Sequence, residues 1–136
     1  MGGFLKIGLP VEGQQFEWVW AKRTGKTTGI IDNIPFFTRA RVTMEDEVYF
    51  RELEGMLYFT RVKTRSGNRT VLVAFNEGML RERYQEILKE MQALGLAIES
   101  ATVGFMAVLV RSSEDWEKLD TYLDGVGSEV RSWGAA

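Results

Sequence analysis

Thr70-Val-Leu-Val-Ala-Phe75 is a short, almost wholly apolar run, and the chain changes rhythm after it. Leu80, Tyr84, Ile87, Leu88, Met91 and Leu94 recur at the spacing of one face of an amphipathic helix. Asn76 reads as its N-cap and Gly95 as its stop. Leu96–Thr102 and Phe105–Arg111 then read as strands around a Val103-Gly104 turn. Ser112, with Asp115 three residues on, is a capping-box variant with the shorter acid. Trp116, Leu119, Leu123 and Val126 line a second helical face that Gly125 and Gly127 end. Ser128–Trp133 supplies a last strand. The order β-α-β-β-α-β is that of a ferredoxin-like unit, with two helices covering one face of a four-stranded sheet.

Upstream, the period is that of strands. Phe4–Leu9 is short and apolar, and Pro10 ends it. Phe16–Lys22 alternates, setting Phe16, Trp18 and Trp20 on one face and Glu17 and Val19 on the other. The four tryptophans, Trp18, Trp20, Trp116 and Trp133, are expected to build the core. Gly25-Lys26 marks a turn before a strand over Thr27–Asp32, and Pro35 bends the chain after it. Glu47–Arg51 and Leu57–Lys63 flank Glu54-Gly55 as a hairpin, and Ser66-Gly67-Asn68 turns again. The expected class is α+β. A small antiparallel β-barrel or curled sheet spans residues 1–69 and a ferredoxin-like βαββαβ unit spans 70–136, the two packed together.

The 136 residues contain neither Cys nor His. Disulfides, thiolate and imidazole nucleophiles and the usual zinc ligands are thereby excluded. Catalysis could rest only on carboxylate, Lys, Tyr or an oxygen-bound metal. The chain starts without a signal-peptide pattern, and Lys6 stands where myristoylation of Gly2 would want Ser or Thr. No apolar run reaches the roughly 20 residues of a membrane span, so a cytoplasmic protein is expected. Charge is uneven. Ten Lys/Arg face six acids from Trp20 to Thr70, and six face eleven from Val71 onward.

Four segments invite a chemical reading. Arg23-Thr-Gly-Lys-Thr-Thr28 resembles a phosphate loop, but Trp20 stands where the wrapping glycine belongs and a strand follows, so it reads as a hairpin turn. Glu45-Asp46-Glu47 could hold Mg²⁺ or Ca²⁺, yet adjacent acids do not converge by themselves; neither metal nor cofactor is expected. Glu114, Glu117, Asp120 and Asp124 form an acidic stripe opposite the apolar face of the second helix, suited to a basic protein partner. Arg61, Lys63, Arg65 and Arg69, with Tyr58 and Phe59 nearby, form a basic hairpin of the kind that meets RNA.

Asp32-Asn33-Ile34-Pro35-Phe36-Phe37, following Trp18-Val-Trp-Ala21, resembles a bacterial family of small proteins known only as a domain of unknown function. The likeness is good from about Phe16 to Val73, including the Ser66-Gly67-Asn68 turn, and looser through the helical half. Met44-Glu45-Asp46-Glu47 keeps only the acid of that family's Gly-Asp step. The resemblance implies no catalytic residues. Asp32-Asn33 reads as an Asx-type turn; Phe36 and Phe37 then either pin the sheet to the second half or, with Asp32, line a groove between the two halves.

The function these features suggest first is a protein-binding module, an immunity protein or antitoxin that neutralises a toxin by direct binding through the acidic stripe. An RNA- or nucleotide-binding regulator working through the basic hairpin is the alternative.

Overall fold

A computed structural model describes residues 3–135, and Gly2 lies outside them. The chain is α+β and forms two compact units, with the boundary between Asn68 and Arg69.

The first unit is a closed five-stranded barrel: β1 (Phe4–Pro10), β2 (Phe16–Arg23), β3 (Thr28–Ile31), β4 (Glu47–Leu53) and β5 (Met56–Thr64). Consecutive strands pair antiparallel. The closing pair does not. β1 and β5 run parallel at Ile7↔Leu57 and Gly8↔Tyr58. An odd number of alternating strands leaves the first and last pointing the same way, so a wholly antiparallel barrel was not available. Glu54 and Gly55 both have positive φ (54° and 82°), the conformation that a two-residue hairpin turn between twisted strands requires.

Ile7, Leu9, Val19, Ala21, Ile31, Val48 and Phe50 fill the barrel, with Phe59 and Val62 packed against them. Trp18 and Trp20 do not belong to this core, contrary to the expectation from composition. The alternation of β2 is as expected, but the inward face is the one carrying Val19 and Ala21. Five strands enclose a narrow interior that medium side chains already fill, and indole rings are left outside.

The second unit follows the order β6 (Arg69–Phe75), α1 (Arg81–Ala93), β7 (Ala97–Thr102), β8 (Phe105–Val110), α2 (Ser113–Gly125) and β9 (Val130–Ala135). Its sheet runs β7-β8-β6-β9, each neighbour antiparallel. Alternate residues Val71, Val73 and Phe75 of β6 and Met106, Val108 and Val110 of β8 join Tyr84, Ile87 and Met91 of α1 and Leu119 and Leu123 of α2 in one core. Trp116 and Trp133 pack on its margin.

Helix α1 departs from its sequence reading. Its N-cap is Leu80, 69% exposed, and not Asn76. Gly78 takes φ 80°, which the helix cannot include, so the first turn begins later. Asn76 instead donates from its side chain to the Ser128 carbonyl at 2.7 Å. Leu88 is half-buried, whereas Tyr84, Ile87 and Met91 are fully enclosed. At α2 the cap is as expected, with Asp115 N–H donating to Ser112 Oγ at 3.2 Å. No helix among the described residues is long and apolar enough to cross a membrane.

These burial differences set a graded test. Ile87→Ala should cost about 2–5 kcal/mol, Leu88→Ala clearly less, and Leu80→Ala no more than about 0.5 kcal/mol, read from urea unfolding midpoints at constant slope.

Candidate functional site

The outer face of β1 and β2 carries the side chains that the barrel interior excludes. Register places Phe4 opposite Lys22, Lys6 opposite Trp20, Gly8 opposite Trp18 and Pro10 opposite Phe16. Phe4 is 59% exposed, Trp20 46%, Phe16 42% and Trp18 37%. Lys6 Nζ lies 5.0 Å from the Trp20 ring and Lys22 Nζ 5.9 Å from that of Phe4, so both cations are held over aromatic faces. Tyr58 of β5 joins the other end, its ring 4.9 Å from Phe16 and 5.6 Å from Trp18. Gly8 lets the Trp18 indole lie close over β1, since a Cβ there would stand 3.0 Å from the ring, tighter than an ordinary contact.

The segment after β3 is tied to β2 by the Glu17 side chain and by the side-chain amide of its own Asn33. Glu17 accepts from the Phe36 and Phe37 amides at 2.7 and 2.8 Å. Asn33 Oδ1 accepts from Trp20 N–H at 2.6 Å, a bond to a strand thirteen residues away and not the local Asx turn expected. Asp32 N–H donates to the Trp20 carbonyl at 2.8 Å. Phe4, Trp20, Asp32 and Asn33 thereby surround a hollow of about 360 Å³. Asp32, Phe36 and Phe37 all belong to the first unit.

A second hollow, about 460 Å³, lies along β5 and is lined by Arg41, Arg61, Lys63 and Arg65. Two irregularities in the β4–β5 register keep Phe59 and Val62 inward and turn Arg61 and Lys63 outward. Arg61 stacks 4.2 Å from the Tyr49 ring, Lys63 pairs with Glu47 at 3.6 Å, and Arg65 donates to the Arg41 carbonyl at 2.6 Å. Three of the four hairpin cations thus come together. Arg69 is instead the first residue of β6, paired with Val110 in the second unit. Arg41 joins from a loop that no local pattern marked.

Glu45, Asp46 and Glu47 diverge. Asp46 is buried and accepts from Thr43 N–H at 3.0 Å and from the Ser66 amide and hydroxyl at 2.7 and 2.8 Å. Glu45 accepts from Asn68 and Glu47 from Thr24. No group of three or more metal-ligating side chains occurs among the described residues. Arg23 closes the Gly25-Lys26 turn by donating to both carbonyls, and β3 follows directly, as a hairpin turn requires.

On α2, Glu117, Asp120 and Asp124 are exposed and engage no ion pair among the described residues, while Glu114 pairs with Lys118 at 3.2 Å. A polar cluster that the sequence did not flag joins α1 to the end of α2. Arg83 grips Glu129 bidentately at 2.7 and 2.8 Å, raising the guanidinium pKa and lowering that of the carboxyl. Tyr122 donates to Glu90, and its phenol is raised by burial and by that bond. Every charge in the cluster is partnered, which marks it as a structural tie.

The family model described as "Domain of unknown function (DUF4265)" matches residues 17–133. The chain belongs to the DUF4265 family. No curated protein matches this DUF4265 chain. Among solved structures it is similar to a crystal structure of a hypothetical protein from Neisseria gonorrhoeae, at 16% identity and a TM-score of 0.68, covering 100% of this chain and 94% of that one. At that identity the likeness shows the fold alone.

The buried carboxylate of this DUF4265 barrel makes a sharp stability test. Asp46→Ala leaves the Thr43 and Ser66 donors without an acceptor, and each such group costs about 1–3 kcal/mol. Thermal unfolding should show that loss, with Asp46→Asn, which keeps one acceptor, falling between the two.

Proposed function

We propose that this protein is a non-catalytic binding module for single-stranded nucleic acid, working through the outer face of β1 and β2. The observation that carries the reading is the row of four exposed aromatic rings interleaved with Lys6 and Lys22 on a closed barrel. Leaving large aromatic rings in water sacrifices apolar burial, and a contiguous exposed group of them marks a binding surface. Rings stack on bases whatever the sequence, and lysines meet the phosphates between them. Ten Lys/Arg against eight acids in residues 1–68, and the hollow formed by Arg41, Arg61, Lys63 and Arg65, favour a polyanion further. The surface differs from the basic hairpin that the sequence offered for nucleic-acid binding as the alternative reading, although that hairpin lies on the same barrel.

We also infer that the second unit is a ferredoxin-like domain, which its β-α-β-β-α-β order and all-antiparallel β7-β8-β6-β9 sheet support. The Asp32–Phe37 hexapeptide fits a family hallmark, since Asn33 and the amides of Phe36 and Phe37 fasten it to β2.

Fluorescence anisotropy with a labelled ten-nucleotide RNA tests the reading. Binding stronger than about 100 µM at low salt is expected, weakening linearly in log–log form as salt rises. Trp18→Ala should weaken it by about 5- to 150-fold, the worth of one stacked base. Replacing Lys6 and Lys22 by Gln should lower the salt slope by about 0.7 for each phosphate left without its lysine. Absence of any binding by the folded protein would count decisively against it.

A toxin inhibitor of the immunity or antitoxin type is the second reading, favoured by the unpaired Glu117, Asp120 and Asp124 on α2. Reversing all three to Lys should abolish capture of a basic partner encoded beside this protein while leaving the melting curve intact, because Leu119 and Leu123 hold the opposite face.

A further inference from the structure

We infer that the hollow between Phe4 and Trp20 is a guanine-reading pocket, an inference that rests on the nucleic-acid reading of the barrel face. Two aromatic side chains border the hollow and two polar residues, Asp32 and Asn33, complete it. The polar pair has a defined hydrogen-bonding sense. Asn33 Oδ1 is committed to Trp20 N–H at 2.6 Å, which fixes the amide and leaves its Nδ2 group as a donor. Asp32 uses its backbone N–H on the Trp20 carbonyl, and no described residue donates to its carboxylate. Asp32 and Asn33 thus bring a carboxylate and an amide donor to the lining of the hollow, next to rings on which a flat ligand can stack.

The surrounding charge selects the kind of guest. Lys6 and Lys22 stand over the same two rings, so two cations border the single carboxylate. A guanidinium or ammonium guest meets a net repulsive rim, whereas a base that trails phosphates is drawn in. Base chemistry narrows the choice. Guanine presents adjacent N1–H and N2–H donors, which match a carboxylate, beside O6, which accepts from an amide. Adenine places a bare ring nitrogen next to its amine, and uracil flanks its one N–H with two carbonyls. Each would set a lone pair against the Asp32 carboxylate. Sites built on such hydrogen bonds reject analogues that lack the partner group, because the polar groups of the site are left unsatisfied.

The test uses the whole chain, three labelled ten-nucleotide RNAs and two free nucleotides. One strand alternates U and G, the second replaces each G by inosine, which lacks only the N2 amine, and the third replaces each G by A. The guanine strand should bind about tenfold or more tightly than either of the others, the scale of a good bidentate base contact. Asp32→Asn should erase that preference, because it removes the acceptor that guanine uses and the repulsion that adenine meets. The inosine comparison requires no variant, so the outcome does not depend on how a variant folds. Titration with GMP and AMP separates the sources. GMP as tight as the strand makes free guanine nucleotide the ligand; GMP far weaker than the strand makes it a base within a chain. Strands that bind without preferring guanine, or a preference that survives Asp32→Asn, would overturn the pocket and leave the nucleic-acid reading standing. If no strand binds, both fall.

Discussion

The closure of five strands into a ring governs the first unit. A ring this small admits Ile, Leu, Val and a few Phe side chains, and nothing larger fits among them. The two indoles of β2 are therefore displaced to the outside by geometry, whatever their hydrophobicity. The surface proposed for ligand binding is in this sense a by-product of the core: Val19 and Ala21 point inward, so Trp18 and Trp20 cannot. Gly8 completes the arrangement by letting an indole lie directly on the β1 backbone.

Around that ring, three side chains that accept backbone hydrogen bonds organise the long connection between β3 and β4. Glu17 and Asn33 hold its first half against β2, and Asp46 holds its second half against Thr43 and Ser66. A connection of fifteen residues without regular structure carries many amide groups that no sheet satisfies. These acceptors meet several of them, and in doing so they fix Asp32 and Asn33 beside Trp20. The polar groups of the candidate pocket are thus positioned by the same bonds that order the loop.

Sequence periodicity revealed most elements, because it reports on neighbours two to four residues apart. The alternation of β2, the Glu54-Gly55 turn and the two helices were legible in this way. The inward face of β2 was not. Hydropathy ranks Trp with the core, and the size of a barrel interior is a property of five strands together. The start of α1 was misread because Asn76 has the chemistry of a cap, while the left-handed backbone of Gly78 shows only in three dimensions. Arg41 joins Arg61, Lys63 and Arg65 from a loop twenty residues away, and Asn33 reaches the Trp20 amide across thirteen. Such encounters are set by tertiary folding, and no local spacing records them.

The parallel pairing between β1 and β5 involves only Ile7↔Leu57 and Gly8↔Tyr58, far fewer than the seven residue pairs that join β1 to β2. It is the seam of the barrel, and local opening of a closed sheet starts where the fewest hydrogen bonds must break. Phe16 and Trp18 of β2 reach Tyr58 of β5 across that seam, so the aromatic group acts as a clasp over it. Any molecule that settles on the clasp adds its own free energy to keeping the seam shut, and occupancy of the surface is thereby coupled to the mechanical integrity of the ring beneath it.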